Sequence, residues 1–183
     1  QQVPNVYSHY ADFAMETLLM KVMPVMVKET GLNLIPTYSY ARIYQYGNEL
    51  KPHIDKSQCE ISLTINLDCD KPWSIWIETP QKVKKEVILN PGDAMLYLGM
   101  QGIHWREPFE GDYCTQVFLH YVRSRGKRSY AYFDKKDKDI FKNQSIMEKI
   151  SYKLTAQSKL EDFIQVFENV IPEGKKPKKF TIK

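Results

Sequence analysis

From Pro36 onwards the chain alternates apolar and polar residues with a period of two, which predicts a protein built mainly of β-strands. The runs cover residues 38–46, 60–67, 73–78, 86–89, 94–97 and 114–122. Each is short, rich in Ile, Val, Thr and aromatic residues, and bounded by Gly, Pro, Asp or Asn, the composition of half-buried strands separated by turns. Evenly spaced short strands of this kind close into a sandwich or barrel. Pro91-Gly92-Asp93 is a turn signal that feeds one of them.

Two stretches follow a different period. Residues 8–30 place Phe13, Leu18, Leu19, Val22 and Met26 at helical spacing, with Ser8 as a cap, Pro24 expected to kink or restart the helix, and Gly31 expected to end it. Met15, Met20, Met23 and Met26 fit core packing better than a soft-metal cluster, because methionine fills irregular gaps on a buried helix face. Beyond Tyr132 the pattern turns ionic, and residues 134–139 read as an exposed connection. Helices are expected over 145–156 and 160–170, the second presenting Phe163, Val166, Phe167 and Val170 to the β-core. The resulting division is a β-domain with its N-terminal helices over 1–132, a helical extension over 133–174 and a basic tail over 175–183.

Composition narrows the class further. The 183 residues are 43% hydrophobic and 13% aromatic, enough to build a core. The net charge of +4 rests largely on Lys175, Lys176, Lys178, Lys179 and Lys183, a solvated end rather than a nucleic-acid site. No apolar run approaches the ~18–20 residues of a membrane span. Cys59, Cys69 and Cys114 are odd in number and lack CxxC spacing, which argues against a disulfide framework and a structural zinc site, and for a reducing, intracellular (cytoplasmic) home.

The chemistry concentrates on histidine. In Lys51-Pro52-His53-Ile54-Asp55, residues two apart on an extended segment point to one side, so an imidazole and a carboxylate can address one ion. About fifty residues later His104 follows the Pro-Gly-Asp turn and its strand. Two histidines and one carboxylate occupy three corners of an ion and leave the others open, the arrangement of non-heme Fe(II) oxygenases.

In these residues the chain resembles the 2-oxoglutarate- and Fe(II)-dependent dioxygenases, particularly their prolyl-hydroxylase-like branch. Arg42-Ile43-Tyr44-Gln45-Tyr46-Gly47, His53-Ile54-Asp55, Pro91-Gly92-Asp93, His104 with Pro108, and the strand over 116–122 carry the resemblance, which spans 38–122. It implies a double-stranded β-helix, or jelly-roll, with flanking helices. It implies Fe(II) held by His53, Asp55 and His104, and hydroxylation of a protein side chain or a small molecule by O2 and 2-oxoglutarate, with succinate and CO2 as co-products. It also implies that Tyr46 contacts 2-oxoglutarate through its hydroxyl and that Asn66 serves the same end.

One family feature is missing. About ten residues after the second histidine the family carries an Arg or Lys that grips the far carboxylate of 2-oxoglutarate; here that position is Cys114, and no cation lies between Asp112 and His120. Strand parity puts Gln116, Phe118 and His120 on one face and Val117, Leu119 and Tyr121 on the other, so Gln116 is one candidate for the missing function. Arg42 and Arg106, which share the parity of Tyr46 and His104, are the others; Arg123 falls on the wrong face. Three readings stay open: 2-oxoglutarate held by a relocated arginine, a different cosubstrate as in a cupin-like metalloenzyme, or a binding protein without turnover. His120 reads as a core histidine or a pocket acid, and His9 as structural. Tyr38, Tyr40, Tyr44, Trp73, Trp76 and Trp105 are assigned to core or pocket wall. Base stacking among Arg42, Lys51, Lys56 and Arg106 is the less favoured alternative.

Overall fold

The computed structural model describes residues 3–4 and 6–134. The expected helices over 145–156 and 160–170 and the basic tail lie outside the described residues. The chain runs β1 (Tyr7–Tyr10), α1 (Phe13–Thr30), β2 (Leu34–Tyr44), β3 (Leu50–His53), β4 (Ile61–Cys69), β5 (Ile75–Glu78), β6 (Lys84–Val87), β7 (Ala94–Tyr97), β8 (His104–Arg106) and β9 (Cys114–Arg123), followed by a short 3-10 segment at Ser129–Asp134. Five strands form one sheet in the order β1-β2-β9-β4-β7 and four form a second in the order β3-β8-β5-β6. Their pairings are antiparallel. This is a mainly β core, as the alternation predicted, in the jelly-roll arrangement that the resemblance implied, with one flanking helix among the described residues.

Strand β9 explains the layering. Val117, Leu119 and Tyr121 pack with Leu63 of β4 against Leu19 and Met26 of α1. Cys114 and Phe118 face the other way and pack with Tyr44, Leu50, Trp73 and Phe109. One face of the large sheet therefore takes the helix and the other, with the small sheet, encloses the interior. Leu19 is fully buried, and its backbone carbonyl accepts the Tyr121 hydroxyl at 2.6 Å. Truncating such a leucine costs about 2–5 kcal/mol. Met20 and Met26 are buried and Met15 and Met23 pack against the same cluster, the core role expected for them.

The helix begins later than expected. Ser8 belongs to β1, and Asp12 caps α1 by accepting from the backbone N–H of Ala14 at 2.9 Å and Met15 at 3.4 Å. Pro24 lies inside a helix that continues to Thr30, so it does not break the element. Gly31 ends the helix as expected, at a φ of 65° that favours glycine.

The structure also pairs Cys69 with Cys114 in a disulfide across β4 and β9, leaving Cys59 as a buried free thiol. The odd count and spacing of the cysteines argued against a disulfide framework, and the single bridge that forms was not anticipated. The two cysteines are far apart in sequence, and only the antiparallel register sets them opposite each other.

Candidate metal centre

His53 ends β3 and His104 begins β8, and the antiparallel pairing of these strands sets them directly opposite each other. Their ring centroids are 4.2 Å apart. Each Nδ1 lies 2.8 Å from a backbone carbonyl two residues earlier, Lys51 for His53 and Gly102 for His104. A carbonyl can only accept, so both Nδ1 atoms carry the proton and both Nε2 atoms present a lone pair. Each Nε2 stands 3.6 Å from Oδ1 of Asp55. The ligand atoms of the three residues all lie within 4.8 Å of one another.

The surroundings fix the carboxylate. The Asp55 N–H donates to Gly99 O at 2.7 Å, and the Ser62 hydroxyl donates to Asp55 Oδ2 at 3.2 Å. Ser62 Oγ in turn lies 2.9 Å from His120 Nδ1, which matches the neutral Nδ1–H tautomer of His120. Burial pushes His120 down to about 4, which favours a neutral imidazole that both lines the cavity and hydrogen-bonds Ser62. Burial works against the Asp55 anion, yet the neighbouring His53, His120 and His104 hold its carboxyl below the ordinary range. Burial keeps His104 below its usual value as well, which favours the neutral, ligating form.

A second grouping of Asp55, Cys59 and His120 shares the same carboxylate. Burial raises the Cys59 thiol to about 12 and its sulfur bonds the Tyr38 hydroxyl, while His120 Nδ1 is engaged by Ser62. The donors of His53, Asp55 and His104 point their lone pairs at one another's ligand atoms, whereas two of the second set are engaged elsewhere, Cys59 by Tyr38 and His120 by Ser62.

These ligands open onto a cavity of about 240 Å³ whose wall includes Tyr38, Tyr40, Arg42, Lys56, Tyr97 and Phe118. Arg42, on the inward face of β2, is buried; its Nη1 donates to the Tyr44 hydroxyl at 3.3 Å and its guanidinium covers the Tyr40 ring at 4.7 Å. Tyr40, Tyr38 and Tyr97 are thus pocket wall, as expected for the first two. Trp76 and Trp105 stack on each other on the opposite face of the small sheet from His104 and Arg106.

The other candidates divide. Arg106 and Gln116 face the interior but are absent from the cavity wall. Arg106 donates to Trp73 O at 2.6 Å and to Gln116 Oε1 at 3.2 Å; its Nε is buried without a partner among the described residues, and burial lowers the group to about 10. Asn66 is buried, donates to Leu89 O at 2.7 Å, and leaves Oδ1 without a partner among the described residues, away from the cavity wall. Tyr46 is 75% exposed, so it does not reach the cavity. Strand β2 ends at Tyr44, and the turn closed by Asn48 N–H to Gln45 O, with Gly47 at φ 76°, breaks the alternation that would have aligned Tyr46 with Arg42. Tyr44, fully buried two residues earlier, takes the inward position. Sequence reasoning did not single out Ser62, Tyr97 or Gly99; the inward parity of 62 and 97 on their strands was the available signal.

No family model matches the chain, and no curated protein matches it. Solved structures do. A prolyl-4-hydroxylase from Pseudomonas putida matches with a TM-score of 0.52 at 16% identity, over 66% of this chain and 73% of that one. HygX from Streptomyces hygroscopicus, solved with nickel, 2-oxoglutarate and hygromycin B, gives 0.55 at 11% identity, over 67% and 72%. A Trichoplax adhaerens prolyl hydroxylase in complex with a hypoxia inducible factor peptide fragment gives 0.53 at 15% identity, over 68% and 66%. The chain therefore shares the fold of the prolyl-4-hydroxylase-like 2-oxoglutarate/Fe(II) oxygenases.

Proposed function

We propose that this chain is a 2-oxoglutarate-dependent Fe(II) oxygenase that hydroxylates its substrate. One observation carries the reading: a single cavity runs from Nε2 of His53 and His104 and Oδ1 of Asp55 to the buried guanidinium of Arg42. An ion at one end and a permanent cation at the other suit a short dicarboxylate. Bound Fe(II) with 2-oxoglutarate supplies O2-dependent hydroxylation, with succinate and CO2 as co-products.

The chain's own residues have separable tasks in this reading. His53, Asp55 and His104 hold the ion, and the Lys51 and Gly102 carbonyls orient both imidazoles. Ser62 and the Gly99 carbonyl orient the carboxylate. Arg42, steadied by Tyr40 and Tyr44, takes the far carboxylate of 2-oxoglutarate, the role left vacant by Cys114. Arg106 and Gln116 stay outside the cavity wall, hydrogen-bonded to each other in the interior. Anaerobic titration of the Fe(II)-loaded protein with 2-oxoglutarate tests the assignment: a saturable visible charge-transfer band is expected. Bound iron without any band, and without succinate release, would leave the metal-binding, non-catalytic reading in its place.

A further inference from the structure

The cavity wall holds a second cation that the cosubstrate does not need. Lys56 directly follows Asp55 and lines the cavity with Tyr10 and Tyr38. Its ammonium lies over the Tyr38 ring, 4.5 Å from the centroid, and among the described residues it enters no ion pair. Unlike the buried Arg42, Lys56 is exposed, so it stands at the mouth rather than the floor. Among the described residues Asp55 is the one carboxylate on this wall, and both of its oxygens are already directed at His53, His104 and Ser62.

The charge balance at the site then calls for an additional anion. A bound dication with Arg42 and Lys56 outweighs Asp55 by three charges, and dianionic 2-oxoglutarate offsets two of them. The remaining positive charge sits where a substrate must enter. Beside it, Tyr10 of the edge strand β1 is 44% exposed, with its ring centroid 5.1 Å from that of Tyr38 and 6.5 Å from that of Tyr40. An exposed aromatic face next to a solvent-facing ammonium suits a planar or ring-bearing body with an anionic group. The cavity, at about 240 Å³, also houses the ion and 2-oxoglutarate in this reading, which leaves room at its mouth for one compact group.

We propose that the primary substrate is a small ring-bearing anion, a carboxylate or a phosphate, received at the cavity mouth by Lys56 with its ring against Tyr10. This inference rests on the oxygenase reading above. The test is ligand-observed NMR on the Zn(II)-loaded, 2-oxoglutarate-bound full chain, with benzoate, phenyl phosphate and neutral benzamide as probes. Wild-type protein should bind one or both anions at least tenfold more tightly than benzamide, and which anion wins identifies the group. Lys56→Gln should lose that preference at least tenfold and Lys56→Arg should keep it. Affinity for 2-oxoglutarate should change less than twofold in either variant. Equal binding of benzamide, no binding of either anion, an unchanged preference in Lys56→Gln, or competition by a proline-containing peptide or an oligonucleotide but not by the anions would overturn the inference. A loss of 2-oxoglutarate affinity in Lys56→Gln would also overturn it, by assigning the lysine to the cosubstrate. If wild-type protein binds no 2-oxoglutarate, the oxygenase reading itself fails, an outcome distinct from all of these.

Discussion

Gly99 and Asp55 approach so closely that a Cβ on Gly99 would collide with Asp55 Oδ2, the Cys59 carbonyl and the Ser62 hydroxyl. The contact is with the carboxylate of a candidate ligand and with backbone, so neither partner can move without disturbing the centre. Gly99→Ala is expected to weaken divalent-metal affinity by about 10- to 100-fold, the range for changes to groups that orient ligands. Co(II) titration followed by its visible bands reads this directly; unchanged affinity would mean that Asp55 does not hold the ion.

Removing the ligands themselves should be more severe. His53→Ala and Asp55→Ala are each expected to abolish stoichiometric Fe(II) binding and 2-oxoglutarate turnover. Far-UV circular dichroism should stay near wild type, because both side chains border the cavity rather than the packed core. Full activity in either variant would sink the assignment.

Arg42 and Arg106 should separate cleanly in a pair of measurements. Arg42→Gln removes a charge from the cavity wall, and a charge-assisted hydrogen bond of about 1.5–3 kcal/mol converts to roughly 10- to 100-fold weaker 2-oxoglutarate binding. Arg106→Ala strips donors from the Trp73 carbonyl and Gln116 in a fully buried site, and should destabilise the fold by about 2–4 kcal/mol. Isothermal titration of 2-oxoglutarate and thermal unfolding together decide it. The reverse pattern would move the cosubstrate's anchor to Arg106.

Acid should loosen the join between β4 and β9. Burial disfavours the Glu60 anion, but Arg123, through its backbone and guanidinium, and Arg128 hold its carboxyl below the ordinary 4.5. A carboxyl depressed in the folded state binds fewer protons there than in the unfolded chain, so its stabilisation is complete above the unfolded value and fades as pH falls through the folded one. The unfolding temperature should therefore drop below about pH 4.5, and Glu60→Gln should flatten that part of the profile. An identical slope in the variant would show that other carboxyls govern acid unfolding.

The Cys69–Cys114 bridge closes a segment of 45 residues, for which loop-closure entropy alone gives about 4 kcal/mol of stabilisation, with about 2–4 kcal/mol typical of measured bridges. Unfolding in the presence of dithiothreitol, against the Cys69→Ala/Cys114→Ala double variant, should show both destabilised to a similar degree. No difference between oxidised and reduced wild type would contradict a formed bridge.

Much of this architecture was legible from alternation. The expected strand over 94–97 coincides with β7, and those over 60–67 and 114–122 match β4 and β9 to within two residues. What escaped were β1, β3 and β8: β1 lies largely within the stretch read as helix, β3 carries Pro52, and β8 has only three residues. Two of these carry the histidines, so the HxD spacing located the candidate ligands where strand patterns could not. Parity placed Gln116, Phe118 and His120 on the interior face, yet it could not tell interior from cavity. Phe118 and His120 line the cavity, whereas Gln116 lies beside Arg106 outside its wall. Parity also failed at Tyr46, where a turn ended the strand. The cysteine pair was invisible because its partners meet only through long-range register.

That register has a further meaning. Along β9 every second residue faces the candidate chemistry and the rest face the helix, so the strand works as a two-track strip. A slip of one residue against β4 would swap the tracks and seat Val117 and Leu119 in the interior while Gln116 and His120 met α1. The irregularity between Asn66 and Asp68 is the place on β4 where such a slip could start, and Cys69–Cys114 lies just beyond it. The covalent bond thus acts as an index pin, recording which of the two alignments the strands have chosen.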